Sequence, residues 1–314
     1  MARAFIFPGQ GSQFVGMGKA LAKQCPEARA IFEEVDDSLE QELSRIMFEG
    51  PEEALTLTAN TQPALMAVSI AVLRVLEIQG LVLEDKIRYV AGHSLGEYSA
   101  LCAAGMFSLR DTARLLRIRG NAMQEAVPVG VGAMAAIIGL DNSIVSAICQ
   151  EVVALGVCQI SNDNGSGQLV VSGNREAVER TVSIARKRGA RHVIMLPVSA
   201  PFHSKLMESA AEIMNAVLDG ISHHNPKIPV ISNVLAEPVQ SAVKIKNLLV
   251  EQITGRVRWR ETIEWFAAHD IMDLYEIGSG RVLTGLAKRV NRDFNGMAVG
   301  TVKEIEIALK ALGI

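Results

Sequence analysis

Residues 89–104, Tyr-Val-Ala-Gly-His-Ser-Leu-Gly-Glu-Tyr-Ser-Ala-Leu-Cys-Ala-Ala, constrain this chain more than any other stretch. Ile87 to Ala91 reads as a short buried strand, and Leu95 to Ala104 as an Ala-rich helix. Gly92-His93-Ser94-Leu95-Gly96 lies between them. A strand that passes at once into a helix needs little side-chain bulk on both sides of the turn, and the two glycines supply that. Such a turn holds Ser94 strained and exposed at the helix start. The helix end brings free N–H groups and a positive dipole to Ser94 Oγ, so the Leu95 N–H is available to an oxyanion forming there. The same spacing also occurs in plain Gly-rich turns, and alone it supports a nucleophile and a simple turn equally.

The surrounding chain is large enough to support either reading. Its 314 residues, 49% hydrophobic and 21% charged, suffice for one large or two modest domains. A net charge of −3 gives no general attraction to nucleic acid. Cys25, Cys102, Cys149 and Cys158 lack metal-binding spacing and read as small buried hydrophobes in a reducing compartment. Phe5-Ile6-Phe7 is cut short by Pro8, so no apolar signal core is expected. The longest apolar run, around Gly130 to Leu140, is too short and too Gly-rich to span a bilayer. A cytoplasmic protein with no nucleic-acid or membrane partner is expected.

Ala4 to Phe7 reads as a first strand, ending in Pro8-Gly9-Gln10-Gly11-Ser12-Gln13. Neither nucleotide-binding fingerprint holds: the third glycine would fall at Phe14, and Gly16 is followed by Met17. What is left is a tight loop with exposed N–H groups at Gln10 and Gly11, either a turn or half of an oxyanion hole. Glu27–Arg45 and Pro63–Gln79 read as helices. Ser108-Leu109-Arg110-Asp111 resembles a capping box and opens a helix carrying Arg110, Arg114, Arg117 and Arg119. A charged helix face is usually solvated, and spacing does not decide which arginine points inward.

Pro128–Gly132 reads as a hinge. Beyond it come a strand (Ala133–Ile138), a helix (Asn142–Leu155), two strands (Cys158–Asn162, Gln168–Ser172), a helix (Glu176–Arg188) and a strand (His192–Met195). This β-α-β-β-α-β order is the ferredoxin-like unit, expected as a small domain over 129–196. It is inserted in a large domain formed by 1–128 and 197–314. The rest alternates: helix Lys205–Leu218, strand Ile228–Ser232, helices Lys244–Thr254 and Glu261–His269, strand Asp273–Ile277, helix Val282–Val290 and a last helix from Thr301. That alternation predicts an α/β fold with a mostly parallel sheet wrapped by helices.

A serine nucleophile needs a base, and six histidines are available. His93 adjoins Ser94, but neighbours along a turn point apart. His223 and His224 sit in a polar loop, His192 begins a strand and His269 ends a helix. His203 follows Pro197 and Pro201 in a stiff loop where the chain returns to the large domain, and ranks first. No Asp or Glu nearby in sequence offers to orient it, so the sequence leaves the third member open.

Four stretches together are similar to one known family. Phe7-Pro8-Gly9-Gln10-Gly11-Ser12-Gln13, Gly92-His93-Ser94-Leu95-Gly96-Glu97-Tyr98, Val198-Ser199-Ala200-Pro201-Phe202-His203-Ser204 and Val257-Arg258-Trp259 resemble the malonyl-CoA:acyl-carrier-protein transacylases of bacterial type II fatty acid synthesis, in order and spacing. The resemblance covers essentially the whole chain. It implies an α/β-hydrolase-like large domain with a ferredoxin-like insert, and malonyl transfer from coenzyme A to acyl carrier protein through an acyl-serine, without metal or cofactor, in a monomer. It implies Ser94 as nucleophile and His203 as base; for that base an unperturbed imidazole titrating near ~6.5 is expected. It also implies Gln10 and Leu95 as the oxyanion hole, Arg119 on the malonyl carboxylate, and Gln252 orienting His203 through its carbonyl. Asn162, Asn164 and Phe202 match positions lining the cleft. A serine hydrolase or thioesterase, with water as acceptor, and a non-catalytic carrier-binding module are the competing classes.

Overall fold

The computed structural model describes residues 2–198 and 200–314; Met1, and Ser199 of the Val198–Ser204 stretch, lie outside the described residues. In chain order its strands are β1 (Arg3–Phe7), β2 (Tyr89–Gly92), β3 (Gly132–Ile138), β4 (Cys158–Asp163), β5 (Gln168–Asn174), β6 (His192–Met195), β7 (Val230–Ile231), β8 (Pro238–Val239), β9 (Asp273–Ile277) and β10 (Asn295–Val299). Six of them form one sheet in the order β10-β9-β1-β2-β7-β8. All neighbours in it run parallel except the β7–β8 pair. The protein is therefore mixed α/β with a mostly parallel large sheet.

β1 shows why this sheet is a middle layer. Successive side chains of a strand point to opposite faces. Phe5 and Phe7 enter one apolar core while Ala4 and Ile6 enter another, and all four are fully buried. A strand buried on both faces reads as a continuous apolar run, the mark of a parallel sheet covered by helices. β1 and β2 end in register, Phe7 opposite Gly92. The loop after β1 and the turn after β2 therefore emerge side by side.

The larger core is built on helix Thr58–Ile78, in which almost every residue as far as Leu76 is buried. It begins five residues before Pro63, the expected start. This helix, not the Gly130–Leu140 run, is long and apolar enough by composition to cross a bilayer; 83% of its most apolar window is buried inside the fold, as befits a core helix. Helix Leu109–Glu125 lies against it. A Cβ at Gly120 would stand 2.6 Å from Ala59 Cα. That close approach brings Arg119 beside Gln62.

β4-β5-β3-β6 form a separate antiparallel sheet. Helices Asn142–Glu151 and Arg175–Lys187 pack on it around Val145, Ile148, Val171 and Val178. Met134, Ala136 and Val170, on alternate positions, join the larger core instead. The two sheets are tied by backbone bonds: Val257 N–H donates to Ser161 O (2.8 Å) and Asp163 N–H to Val257 O (3.0 Å).

Several boundaries differ from expectation. The helix expected over Glu27–Arg45 is two, Pro26–Leu39 and Leu43–Glu49, separated where Glu40 turns left-handed (φ 51°). The Asn142 helix stops at Glu151, before Val152-Val153 and Gly156, and a 3₁₀ turn follows. The Lys205 helix starts as a 3₁₀ turn and becomes α-helical at Glu208. β8 and β10 were not expected. Pro238-Val239 is only a two-residue strand, and Asn295-Gly296-Met297-Ala298-Val299 carries few β-branched residues to signal one.

Candidate active site

The turn after β2 is as tight as its glycines require. A Cβ on Gly92 would lie 1.9 Å from the Gly96 carbonyl, and one on Gly96 2.3 Å from Phe7 O. Ser94 sits at φ 54°, ψ −110°. A non-glycine residue held there costs about 1–3 kcal/mol and persists only when its surroundings enforce it. Asn233, buried in the loop after β7, does so. Its Nδ2 donates to Gly92 O (2.6 Å) and its Oδ1 accepts from Ser94 N–H (2.7 Å). One side-chain amide thus clamps both arms of the turn.

His203, also at positive φ (56°), reaches Ser94 from the return loop. Ser94 Oγ lies 2.7 Å from His203 Nε2, and His203 Nδ1 lies 2.8 Å from Gln252 O. A carbonyl can only accept, so Nδ1 carries the proton and Nε2 is left to accept from the serine. His203 is 3% exposed. Burial, then the Arg119 charge, push its pKa down to about 3. This departs from the expected value near ~6.5 for an unperturbed imidazole: desolvation disfavours the imidazolium, and no carboxylate compensates. His93 turns away, its Nε2 3.0 Å from Asn164 Oδ1, as expected for neighbours on a turn.

Arg119 is 1% exposed. Its Nη1 donates to Gln62 Oε1 (2.7 Å); its Nη2 donates to Gln252 Oε1 (2.8 Å) and Ser94 Oγ (3.2 Å). Its Nε finds no acceptor among the described residues. Every partner is neutral, so the guanidinium is fixed in place with no carboxylate on it among the described residues. The other arginines of that helix divide differently. Arg117 binds Asn60 and Gln41, and Arg114 reaches Ser38 O, so fewer of them are simply solvated than a charged face suggests.

These groups open onto a cavity of about 270 Å³, walled by the loop after β1, the Ser94 turn and the face of the antiparallel sheet bearing Met134 and Val170. Asn162, Asn164 and Phe202 line it. Gln10 and Leu95 line it too, and neither backbone N–H donates to another described residue. The Gly11 N–H, expected to be exposed beside them, is taken by Gln13 Oε1 (2.7 Å). His192, His223, His224 and His269 lie outside the cavity lining. Among the described residues no cluster of three or more His, Cys, Asp or Glu could hold a metal.

Three buried residues of this arrangement escaped sequence reasoning: Gln62, Asn233 and Glu97. Glu97 Oε2 accepts from Gln252 Nε2 (2.7 Å) and Asn233 N–H (3.2 Å). Burial pushes its pKa up to about 7, against those two hydrogen bonds and the field of Arg119. The available signal was a lone acid in an otherwise apolar helix, Leu-Gly-Glu-Tyr-Ser-Ala-Leu. Nothing local marks Gln62 or Asn233.

The acyl transferase domain family matches residues 4–284. A malonyl CoA-acyl carrier protein transacylase of Bacillus subtilis (strain 168) is 46% identical over 310 residues, 98% of this chain and 96% of the relative. The chain is an acyltransferase of the malonyl CoA-acyl carrier protein transacylase family. Solved members superpose closely on it. An acyl-carrier-protein-S-malonyltransferase from Bartonella henselae matches with a TM-score of 0.99 and 60% identity over the whole of both chains. A malonyl-transacylase solved in complex with a type II PKS acyl-carrier protein matches with a TM-score of 0.96 and 42% identity, over 99% of this chain and all of that one.

Proposed function

We propose that this transacylase moves a malonyl group from coenzyme A to the phosphopantetheine thiol of acyl carrier protein, with Ser94 as the nucleophile. His203 Nε2 takes the serine proton as Oγ attacks the thioester, and returns it to the departing coenzyme A sulfur. Gln10 and Leu95 N–H groups receive the oxyanion. In the second half-reaction His203 takes a proton from the carrier thiol, whose sulfur attacks the malonyl-serine, and returns it to Ser94 Oγ as the acyl–oxygen bond breaks. A neutral carbonyl behind His203 makes it a weak base, which suits thiols and thioesters, easier acyl donors than amides. Asn162, Asn164 and Phe202 shape the cleft for the pantetheine arm. No cofactor or metal takes part.

One observation carries the substrate choice: a buried guanidinium, bonded only to neutral groups, directed at the nucleophile. Arg pairs a carboxylate bidentately, and malonyl differs from acetyl by one carboxylate. The relative solved with its acyl-carrier protein supports the carrier as acceptor. We read the large sheet, residues 1–128 and 197–314, as an α/β-hydrolase-like domain. The strand order β4-β5-β3-β6 supports a ferredoxin-like insert over 129–196. The enzyme acts as a cytoplasmic monomer. The test is incubation with malonyl-CoA and phosphopantetheinylated carrier, read by mass. A malonylated carrier is expected; free malonate with unmodified carrier would instead indicate a hydrolase, and no reaction a binding module.

A further inference from the structure

Among the described residues Glu97 is the one acid in the polar cluster behind Ser94, and its bonds there come from Gln252 and Asn233 with no cation in contact. Its Oε2 holds Gln252 Nε2, and Gln252 Oε1 in turn holds Arg119 Nη2. Two opposite charges are therefore buried on either side of one neutral amide, each feeling the other's field. With Ser94 free, the cluster is balanced. A malonyl carboxylate docked on Arg119 upsets that balance, because two buried anions then share one guanidinium. A buried carboxylate without a cation takes up a proton.

We propose that Glu97 matches the charge of the incoming acyl group, ionised when Ser94 is free and protonated when malonyl occupies Arg119, and so makes the malonyl over acetyl selectivity depend on pH. The inference rests on Arg119 as the carboxylate partner. The protons balance. In loading, the Ser94 Oγ–acyl bond forms, the acyl–sulfur bond breaks, and the serine proton ends on the coenzyme A thiol, which retains it near neutral pH. The Glu97 proton comes in addition, from solvent. Acetyl loading releases the same thiol but brings no carboxylate, so it takes up no such proton.

The neighbouring groups leave Glu97 as the titrating member. Arg119 stays charged. Burial pushes Tyr98 up to about 12 and His203 down to about 3, and lowers His93, so these three are neutral near pH 7. Glu97 itself is raised to about 7, where a modest change of field decides its state. The malonyl form then binds the extra proton, so malonyl loading strengthens as pH falls and weakens above neutrality, by up to about tenfold per pH unit for one linked proton.

The experiment compares malonyl and acetyl kcat/KM from pH 6 to 8.5 in wild type, Glu97→Gln and Arg119→Ala. The wild-type ratio should fall as pH rises. In Glu97→Gln, whose amide oxygen can still accept from Gln252 and Asn233, the ratio should be high and flat. A flat wild-type ratio, or an unchanged slope in Glu97→Gln, overturns the proposal. Arg119→Ala separates the two readings. If the ratio stays at the wild-type value, the Arg119 assignment itself is wrong. If it collapses while the wild-type ratio is flat with pH, only the Glu97 inference falls. Should Glu97→Gln not fold, infrared difference spectra of the wild type decide. With isotopically labelled malonyl to shift its own bands, a protonated-carboxyl band should appear on malonyl loading but not acetyl loading, and its absence overturns the proposal.

Discussion

Replacing Arg119 with alanine is the sharpest perturbation of substrate choice. The side chain is 1% exposed and donates to Gln62, Gln252 and Ser94 at 2.7, 2.8 and 3.2 Å. Its loss leaves a docked malonyl carboxylate buried without a partner. Removing one member of such a pair costs about 3–5 kcal/mol. At about 1.4 kcal/mol per tenfold, malonyl kcat/KM should fall by roughly 10² to several times 10³. Acetyl has no carboxylate to strand, so its kcat/KM should hold or rise. Arg119→Lys should fall between, since an ammonium keeps the charge but cannot reproduce the planar fork that holds both glutamines. The assay is stopped-time transfer from malonyl-CoA and acetyl-CoA to carrier protein, with the folded state checked by thermal melting. A malonyl-to-acetyl ratio equal to wild type, even with both rates lowered, would refute the reasoning: Arg119 would then support structure only.

Other expectations follow from the same geometry. His203→Ala should lower transfer at least ~10²-fold, and His93→Ala far less; the reverse order would exchange their roles. His203 must be neutral to accept a proton, and its pKa is depressed to about 3. Acetyl transfer, free of the Glu97 linkage, should therefore show no acid limb between pH 7 and 5 in steady-state rates, whereas a fall centred on the ordinary histidine value would contradict the burial argument. Asn233→Ala removes two hydrogen bonds that hold a strained turn. A misplacement of about 1 Å at the nucleophile costs on the order of 10², so kcat should drop about that far with KM little changed. A variant with normal kcat would show that the turn holds itself.

The parts of the fold legible in the sequence were those with strong local pattern. β1, the turn at Ser94 and the β-α-β-β-α-β order around Gly132–Met195 are written in apolar runs and glycines, and they stand close to where expected. β10 was not legible because its pairing with β9 is non-local and its residues are weak strand formers. The break at Glu40 depends on a single left-handed residue that is not glycine. The candidate site divides similarly. Ser94 and His203 sit in stiff, marked loops, and the structure brings them within 2.7 Å. Arg119 was singled out by resemblance alone; its burial depends on the Gly120–Ala59 contact between two helices. Gln62, Glu97 and Asn233 lie far apart in sequence and acquire meaning only when three-dimensional packing joins them. The depression of the His203 pKa is illegible in the sequence for the same reason: desolvation is a property of the whole fold.

The most direct test is an intact-mass spectrum after rapid quenching with malonyl-CoA and no carrier protein. One malonyl group should appear per chain, mapped by fragmentation to Ser94, with a burst of about one coenzyme A per chain as two-step acyl transfer requires. It should be absent from Ser94→Ala and be discharged when phosphopantetheinylated carrier is added. Normal turnover with no adduct, or an adduct that persists in Ser94→Ala, would contradict an acyl-Ser94 intermediate.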